Sequence, residues 1–241
     1  MMRFDERAHV YAQHAHVQRQ MAQWLGEWLD AVMFVGDRVV EYGAGEGLFT
    51  QMLTGRLADI TAVDLAPRMV QQGAQNAPDA QWRQGDAWAG VALEPTVDIV
   101  VSSSVMQWCP DPVEILRDWR SRLPSGARML HGFYIDPTLM ELRGLQGEES
   151  APLNWLTAEQ WRNAFIEAGW EIERMDHETK RIVYLNSLEL LRSLHGVGAV
   201  RRGQMRGTRL RRLIRDYDQR FANEGGGVYA NWTFCRVQAK S

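Results

Sequence analysis

Three glycines and three acids carry the densest chemistry in this chain. Arg38-Val39-Val40-Glu41-Tyr42-Gly43-Ala44-Gly45-Glu46-Gly47-Leu48-Phe49 is an apolar run ending in an acid, then alternate glycines, then the start of a helical pattern. It reads as strand, tight turn and helix. Gly43, Gly45 and Gly47, with Ala44 between them, allow positive φ and let a ligand lie against bare backbone. The dinucleotide fingerprint wants its third glycine at position 48, which is leucine, so a nicotinamide loop is disfavoured. A second β-branched run, Ile60-Thr61-Ala62-Val63-Asp64, ends in an acid about twenty residues past the first glycine, which suits a bidentate grip on ribose hydroxyls. Asp64 reads equally as an N-cap for the helix entered at Pro67. Leu65 and Met69 flank that helix start and group with the same ligand. In Gly85-Asp86-Ala87-Trp88, Asp86 can accept from an adenine amino group above an apolar floor of Ala87 and Trp88, although Gly-Asp is also a common turn. A fourth run, Val97-Asp98-Ile99-Val100-Val101, ends in Ser102, Ser103 and Ser104, then Gln107 and Trp108. A plain serine loop capping the next helix has no need of that tryptophan.

These residues must be held by alternating strands and helices. The pattern alternates through Leu123, turns at Pro124-Ser125-Gly126, and gives a fifth strand over 127–134. Such alternation predicts an α/β, doubly wound, mostly parallel sheet with right-handed crossovers. Residues 4–29 read as one amphipathic helix, with Val10, Val17, Met21 and Leu25 on one stripe and Tyr11, His14 and Gln18 beside it, placed to form a lid. Residues 136–156 read as a substrate-covering insertion. A capped helix opens at Thr157 and stops at Gly169. Strand character follows over 170–185, helices over 187–195 and 201–224, and a last strand over 228–237. The 241 residues have 45% hydrophobic content and a net charge of −3, which fits a single domain over 1–241 with elaborations at 1–30, 136–156 and 186–224. Two cysteines, neither in a CxxC pair, argue against a disulfide framework or cysteine zinc site. No signal-peptide pattern and no membrane-length apolar run is found, so a cytoplasmic protein is expected.

With these residues in hand, E-x-G-x-G-x-G resembles the S-adenosylmethionine (SAM) loop of class I methyltransferases. More narrowly, the chain resembles the malonyl-acyl-carrier-protein O-methyltransferases of biotin synthesis. Tyr11-Ala12-Gln13-His14-Ala15-His16-Val17-Gln18-Arg19 is similar to that family's opening helix. Val105-Met106-Gln107-Trp108-Cys109 looks like its fourth motif, and Thr138-Leu139-Met140-Glu141-Leu142-Arg143 like the stretch after its fifth strand. Leu190-Leu191-Arg192-Ser193-Leu194-His195-Gly196-Val197-Gly198-Ala199 resembles its post-sheet helix and turn. Ser103 stands where asparagine is expected, His195 where lysine is usual, and Tyr42 in a smaller residue's place. The resemblance implies a Rossmann-like, mostly parallel seven-stranded sheet with an antiparallel last strand. It implies SAM as cofactor, with Ser102, Ser103 and Gln107 near its methionine end, and Tyr11, His14 and Gln18 closing over it.

The resemblance further implies methyl transfer to the free carboxylate of a malonyl thioester on acyl-carrier protein. A carboxylate is already ionised at neutral pH, so no general base is needed. A guanidinium suits its recognition, and Arg143 is the candidate, alongside the reading of an ordinary surface arginine. Trp108 and Trp155 are candidate walls of the acyl side, or core. Arg201, Arg202, Arg209 and Arg212 lie in a basic stretch that suits an acidic carrier, or is a solvated helix face partly paired with Asp216 and Asp218. A monomer or weak dimer is expected. Three other readings stay open: a small-molecule O-methyltransferase, a SAM-binding regulatory protein without catalysis, and, less favoured by the negative charge, a nucleic-acid methyltransferase.

Overall fold

The computed structural model describes residues 15–32, 37–57, 59–146, 155–197 and 207–241. Seven strands form one sheet: β1 (Arg38–Tyr42), β2 (Asp59–Asp64), β3 (Gln81–Gln84), β4 (Ile99–Ser103), β5 (Arg128–Ile135), β6 (Glu171–Tyr184) and β7 (Val228–Lys240). Their order is β3-β2-β1-β4-β5-β7-β6. The pairs from β3 through β5 are parallel, and β7 runs antiparallel to both β5 and β6. This is the expected Rossmann-like α/β sheet. Strand order reverses between β1 and β4, and such a switch point opens a crevice at the carboxyl ends of the strands.

Strand alternation divides the side chains between two faces. Val40, Tyr42, Val100, Met129, Phe133 and Val237 pack beneath α5 (Pro112–Arg122) and α7 (Ala158–Glu167) through Leu116, Trp119, Trp161 and Phe165. Asp111 caps α5, accepting from the Glu114 N–H at 3.0 Å, so the preceding serines are not its cap. Thr157 and Gln160 form the expected reciprocal capping box of α7. The other face carries Val39, Val101 and Leu130 under α1 (His16–Gly26) and α2 (Leu29–Val32). The described part of the long N-terminal helix therefore ends at Gly26, and a turn separates it from α2.

Helix α1 lies close to β5 because Gly132 has no side chain. A Cβ there would come within 2.9 Å of Met21 Sδ and 3.1 Å of Leu25 Cδ2. The far end of α1 is tied to β7 by Arg236, whose guanidinium lies over the rings of Trp24 at 4.0 Å and Trp28 at 4.3 Å. It also pairs with Glu27 at 2.9 Å and Asp176 at 3.4 Å. Desolvated cation–π contacts of this kind contribute about 2 kcal/mol.

Beyond the end of β5, the β6–β7 pair continues outward as a two-stranded arm ending at Tyr184 and Val228. Helices α6 (Met140–Gln146), α8 (Ser187–Gly196) and α9 (Gly207–Arg220) pack on it around Leu142, Leu190, Leu194, Leu213 and Tyr217. The first helices after β1 and β2, α3 (Thr50–Thr54) and α4 (Pro67–Asn76), flank the crevice. The N-cap of α4 is Ala66, not Asp64. Asp64 instead receives the Ala66 N–H at 2.8 Å, two residues along.

Overpacking at the α1–β5 contact is the weak point of this arrangement. Gly132→Val is expected to lower stability by about 1–3 kcal/mol. A urea midpoint shifted down at unchanged slope checks it; an unchanged midpoint contradicts the close contact.

Candidate active site at the switch point

At the β1–β4 crevice a cleft with about 310 Å³ of empty space is lined by Gln18, Glu41, Gly43, Ala44, Gly45, Glu46, Leu48, Phe49 and Ser103. The glycine loop forms its wall. Gly43 has φ of 62°, and a Cβ on it would meet Val105 Cγ2 at 2.2 Å, so no other residue fits there. Gly45 has φ of 58° and open space where its side chain would be. Gly47 is backed by the indole of Trp82. The loop is held to β2 by the Ala44 N–H donating to Val63 O at 3.1 Å and the Gly45 N–H to Asp64 Oδ2 at 2.8 Å. Asp64 thus links the loop to the mouth of α4.

Glu41 is the penultimate residue of β1 and is buried, with no hydrogen-bond partner at Oε2. Burial pushes its carboxyl up to about 8; the Thr50 hydroxyl opposes this and the nearby Asp64 charge adds to it. Gln18 of α1 also presents a buried Oε1 without a hydrogen-bond partner. Gln107, in the 3-10 turn Met106–Trp108 after β4, donates its amide N–H to Ser104 O at 2.7 Å and leaves Oε1 without one. Unpaired buried acceptors are costly and stand out. Those of Glu41 and Gln18 belong to residues that line the cleft. Glu46 is a further buried carboxylate of the cleft, shifted upward by burial against an opposing Arg19.

The remaining expected residues divide. Leu65 is 63% exposed beside Asp64, while Met69 is buried in α4. Asp86 caps the 3-10 turn Ala87–Ala89, accepting from the Trp88 N–H at 2.9 Å, and Trp88 stacks on Trp119. Ser103 reaches the cleft, but the Ser102 side chain does not. Strand parity turns Ser102 to the opposite face, where its hydroxyl bonds His131 Nδ1 at 2.8 Å. That buried histidine stays neutral because burial lowers its pKa to about 3. Tyr42 shares that face, packs on Trp119 and donates to Val91 O at 2.8 Å, so its size does not intrude on the loop. Arg143 is ion-paired with Asp136 at 2.6 Å rather than lying as a bare surface arginine. Trp108 is half-buried after β4. Trp155 packs against the cluster containing Leu139, Leu142 and Tyr134. Arg209 and Arg212 lie on the exposed side of α9, with Arg212 near Asp216 at 3.4 Å. Asp218 accepts from the Ser187 N–H at 2.8 Å. Tyr11, His14, Arg201 and Arg202 lie outside the described residues.

Sequence reasoning named Ser104 only within the serine run and passed over Leu48 and Phe49, which line the cleft. Ser104 has φ of 64° and donates to the Tyr134 hydroxyl at 3.1 Å. A strained non-glycine residue at the end of a parallel strand marks a functional edge. Leu48 and Phe49 follow directly from the loop and were legible by position. Among the described residues no cluster of His, Cys, Asp or Glu suits a metal ion, and no helix is long and apolar enough to cross a membrane.

A glycine loop, a buried acid before it and an acid ending β2, all at the switch point of this sheet, define a class I methyltransferase. The sequence pattern of the methyltransferase domain family matches residues 40–130. The malonyl-[acyl-carrier protein] O-methyltransferase of Halorhodospira halophila is 32% identical over 208 residues, covering 81% of this chain and 69% of that protein. That of Brevibacillus brevis is 27% identical over 93% of this chain and 89% of its own length. The solved YcgJ protein of Bacillus subtilis shares the fold, with a TM-score of 0.68 at 17% identity, over 91% of this chain and 98% of that one. The chain belongs to the malonyl-[acyl-carrier protein] O-methyltransferase family.

Glu41 supplies a pH signature. Its carboxyl titrates near 8 when folded and 4.5 when unfolded. Between these values the folded state holds a proton that the unfolded state has lost, so stability falls as pH rises. Unfolding free energies measured from pH 4 to 9 are expected to decline across this window by a few kcal/mol more in the ligand-free wild type than in Glu41→Gln. Parallel profiles would remove Glu41 from this role.

Proposed function

We propose that the cleft binds SAM and that the enzyme methylates the free carboxylate of a malonyl thioester borne by acyl-carrier protein, giving the methyl ester used in pimeloyl and biotin synthesis. The observation that carries the cofactor reading is the pair of buried, unpartnered acceptors, Glu41 Oε2 and Gln18 Oε1, lining a glycine-walled cleft. Such acceptors suit a cationic amino-acid end, and a glycine wall suits a ligand pressed against backbone. Asp64 would hold the ribose diol, with Leu65 against the adenine and Asp86 at its amino group. When bound, SAM supplies an electrophilic methyl on a positive sulfonium.

The protein's task is then positioning. No residue need act as a base, because the substrate carboxylate would already be ionised at neutral pH. Opposite charges vanish together, so a dry pocket that aligns them lowers the barrier. Arg143 would orient the carboxylate, in exchange with or beside Asp136, and Trp155 would wall the acyl side. The exposed arginines of α9 would meet the acidic carrier. A small-molecule carboxylate methyltransferase shares all of this except the carrier surface.

The cofactor assignment predicts that Asp64→Ala weakens SAM binding by about 1–3 kcal/mol through loss of charge-assisted bonds. Titration calorimetry showing unchanged affinity refutes the ribose role.

The substrate assignment is tested by mass spectrometry of malonyl-carrier protein, malonyl-CoA and free malonate incubated with SAM. A gain of one methyl on the carrier-bound form is expected. Arg143→Ala should abolish most of that gain while retaining SAM binding. Charge reversal of Arg209 and Arg212 to Glu should slow only the carrier-bound substrate, most at low salt. A methyl on none of the three compounds ends the malonyl reading.

A further inference from the structure

Glu41 lines an open cleft, yet its residue is only 1% exposed. The groups around it come from every neighbouring element. Helix α3 brings the Thr50 hydroxyl, which favours the ionised carboxylate. Strand β2 brings Asp64, whose two oxygens already accept the Gly45 and Ala66 N–H groups at 2.8 Å each. The glycine loop brings Glu46, α1 brings Gln18, and β4 brings Ser103. Arg19, the cation of α1, acts on Glu46. Among the described residues no cation acts on Glu41.

These surroundings decide the state of the empty cleft. Asp64 has backbone donors for its negative charge. A second carboxylate beside it, buried and with no cation, is disfavoured twice, by desolvation and by like charge. Glu41 therefore keeps its proton at neutral pH, in line with a carboxyl pushed up to about 8. A cationic group in the cleft changes the balance. An ammonium offers donors and a positive charge, and its bond to a carboxylate is about twice as strong as one to a neutral acceptor.

We propose that the cleft exchanges a proton for its ligand: when the ammonium group of SAM enters, Glu41 releases the proton it carries in the empty enzyme. The inference rests on the cofactor reading and adds the proton to its equilibrium. The step balances simply. A neutral carboxyl and a free ammonium become a carboxylate–ammonium pair, and one proton passes to the solvent. No covalent bond of the ligand changes. The sign follows from linkage. While the empty cleft is protonated and the occupied one is not, higher pH favours binding, by about tenfold per pH unit. Once the empty cleft is itself ionised, the gain stops. Loading of the enzyme therefore weakens as the medium acidifies.

The test is titration calorimetry at pH 7 in phosphate and in Tris, whose heats of ionisation differ, so that the difference in binding heat counts protons. Wild type is expected to release about one proton on binding SAM. S-adenosylhomocysteine, with a neutral sulfur but the same ammonium, should release as many. 5′-Methylthioadenosine, which lacks the amino-acid end, should release none. SAM affinity should rise about tenfold from pH 6 to pH 7. Glu41→Gln should abolish the release and flatten the profile. Glu46→Gln should keep both, which separates the two buried acids. No release with SAM, equal release with methylthioadenosine, or release that persists in Glu41→Gln overturns the exchange. The three ligands on wild type decide the matter even if Glu41→Gln does not fold. A wild type that binds none of the three is a different outcome: it rejects the cofactor reading itself, and the exchange with it.

Discussion

Helix α1 approaches β5 where Gly132 has no side chain, and much of the upper face is arranged by that approach. Met21 and Leu25 occupy the space a Cβ would take. From that seat the helix delivers Gln18 to the cleft and His16 to Tyr184, while Trp24 and Trp28 embrace Arg236 at its other end. One helix therefore touches the cleft, the end of β6 and the antiparallel half of the sheet. A shift of its axis would disturb all three together.

The electrostatics of the cleft follow from topology. Parallel strands β1 and β2 end at the same edge, and their last or near-last residues are acids. Burying Glu41 favours its neutral form, and the proximity of Asp64 adds to that preference. A cation in the cleft reverses it by giving the carboxylate a partner. The opposite face shows the same physics with another result. His131 is buried between Trp119 and Phe165 with a serine hydroxyl for company, and it remains an uncharged part of the core.

The loop and its acids were legible in sequence because their function depends on spacing along the chain. Strand ends and glycines carry that spacing directly, and β1, β2 and β4 were read from apolar runs, whereas β3 is a short polar stretch, Gln81–Gln84, that no such run marks. Side-chain direction was harder. Ser102 and Ser103 are chemically identical, and only strand parity separates a core serine from a cleft serine. Asp64 resembled a cap because its carboxylate does bond the backbone at the start of α4, but two residues early. The Arg143–Asp136 pair depends on how α6 folds back on the end of β5. The N-terminal stretch bearing Tyr11 and His14 has its description in sequence alone.

The reversal of direction at β7 divides the labour of the sheet. Its parallel half holds the glycine loop and the acids, each fixed by neighbours on both sides. Its antiparallel arm, with α6, α8 and α9 against it, holds a separate apolar cluster that shares few residues with the loop. Heritable change can therefore fall unevenly. Substitutions on the arm can reshape its apolar cluster, while the half that carries the glycine loop stays under its older constraint. A lineage built this way can diversify its substrates without having to reinvent its reagent.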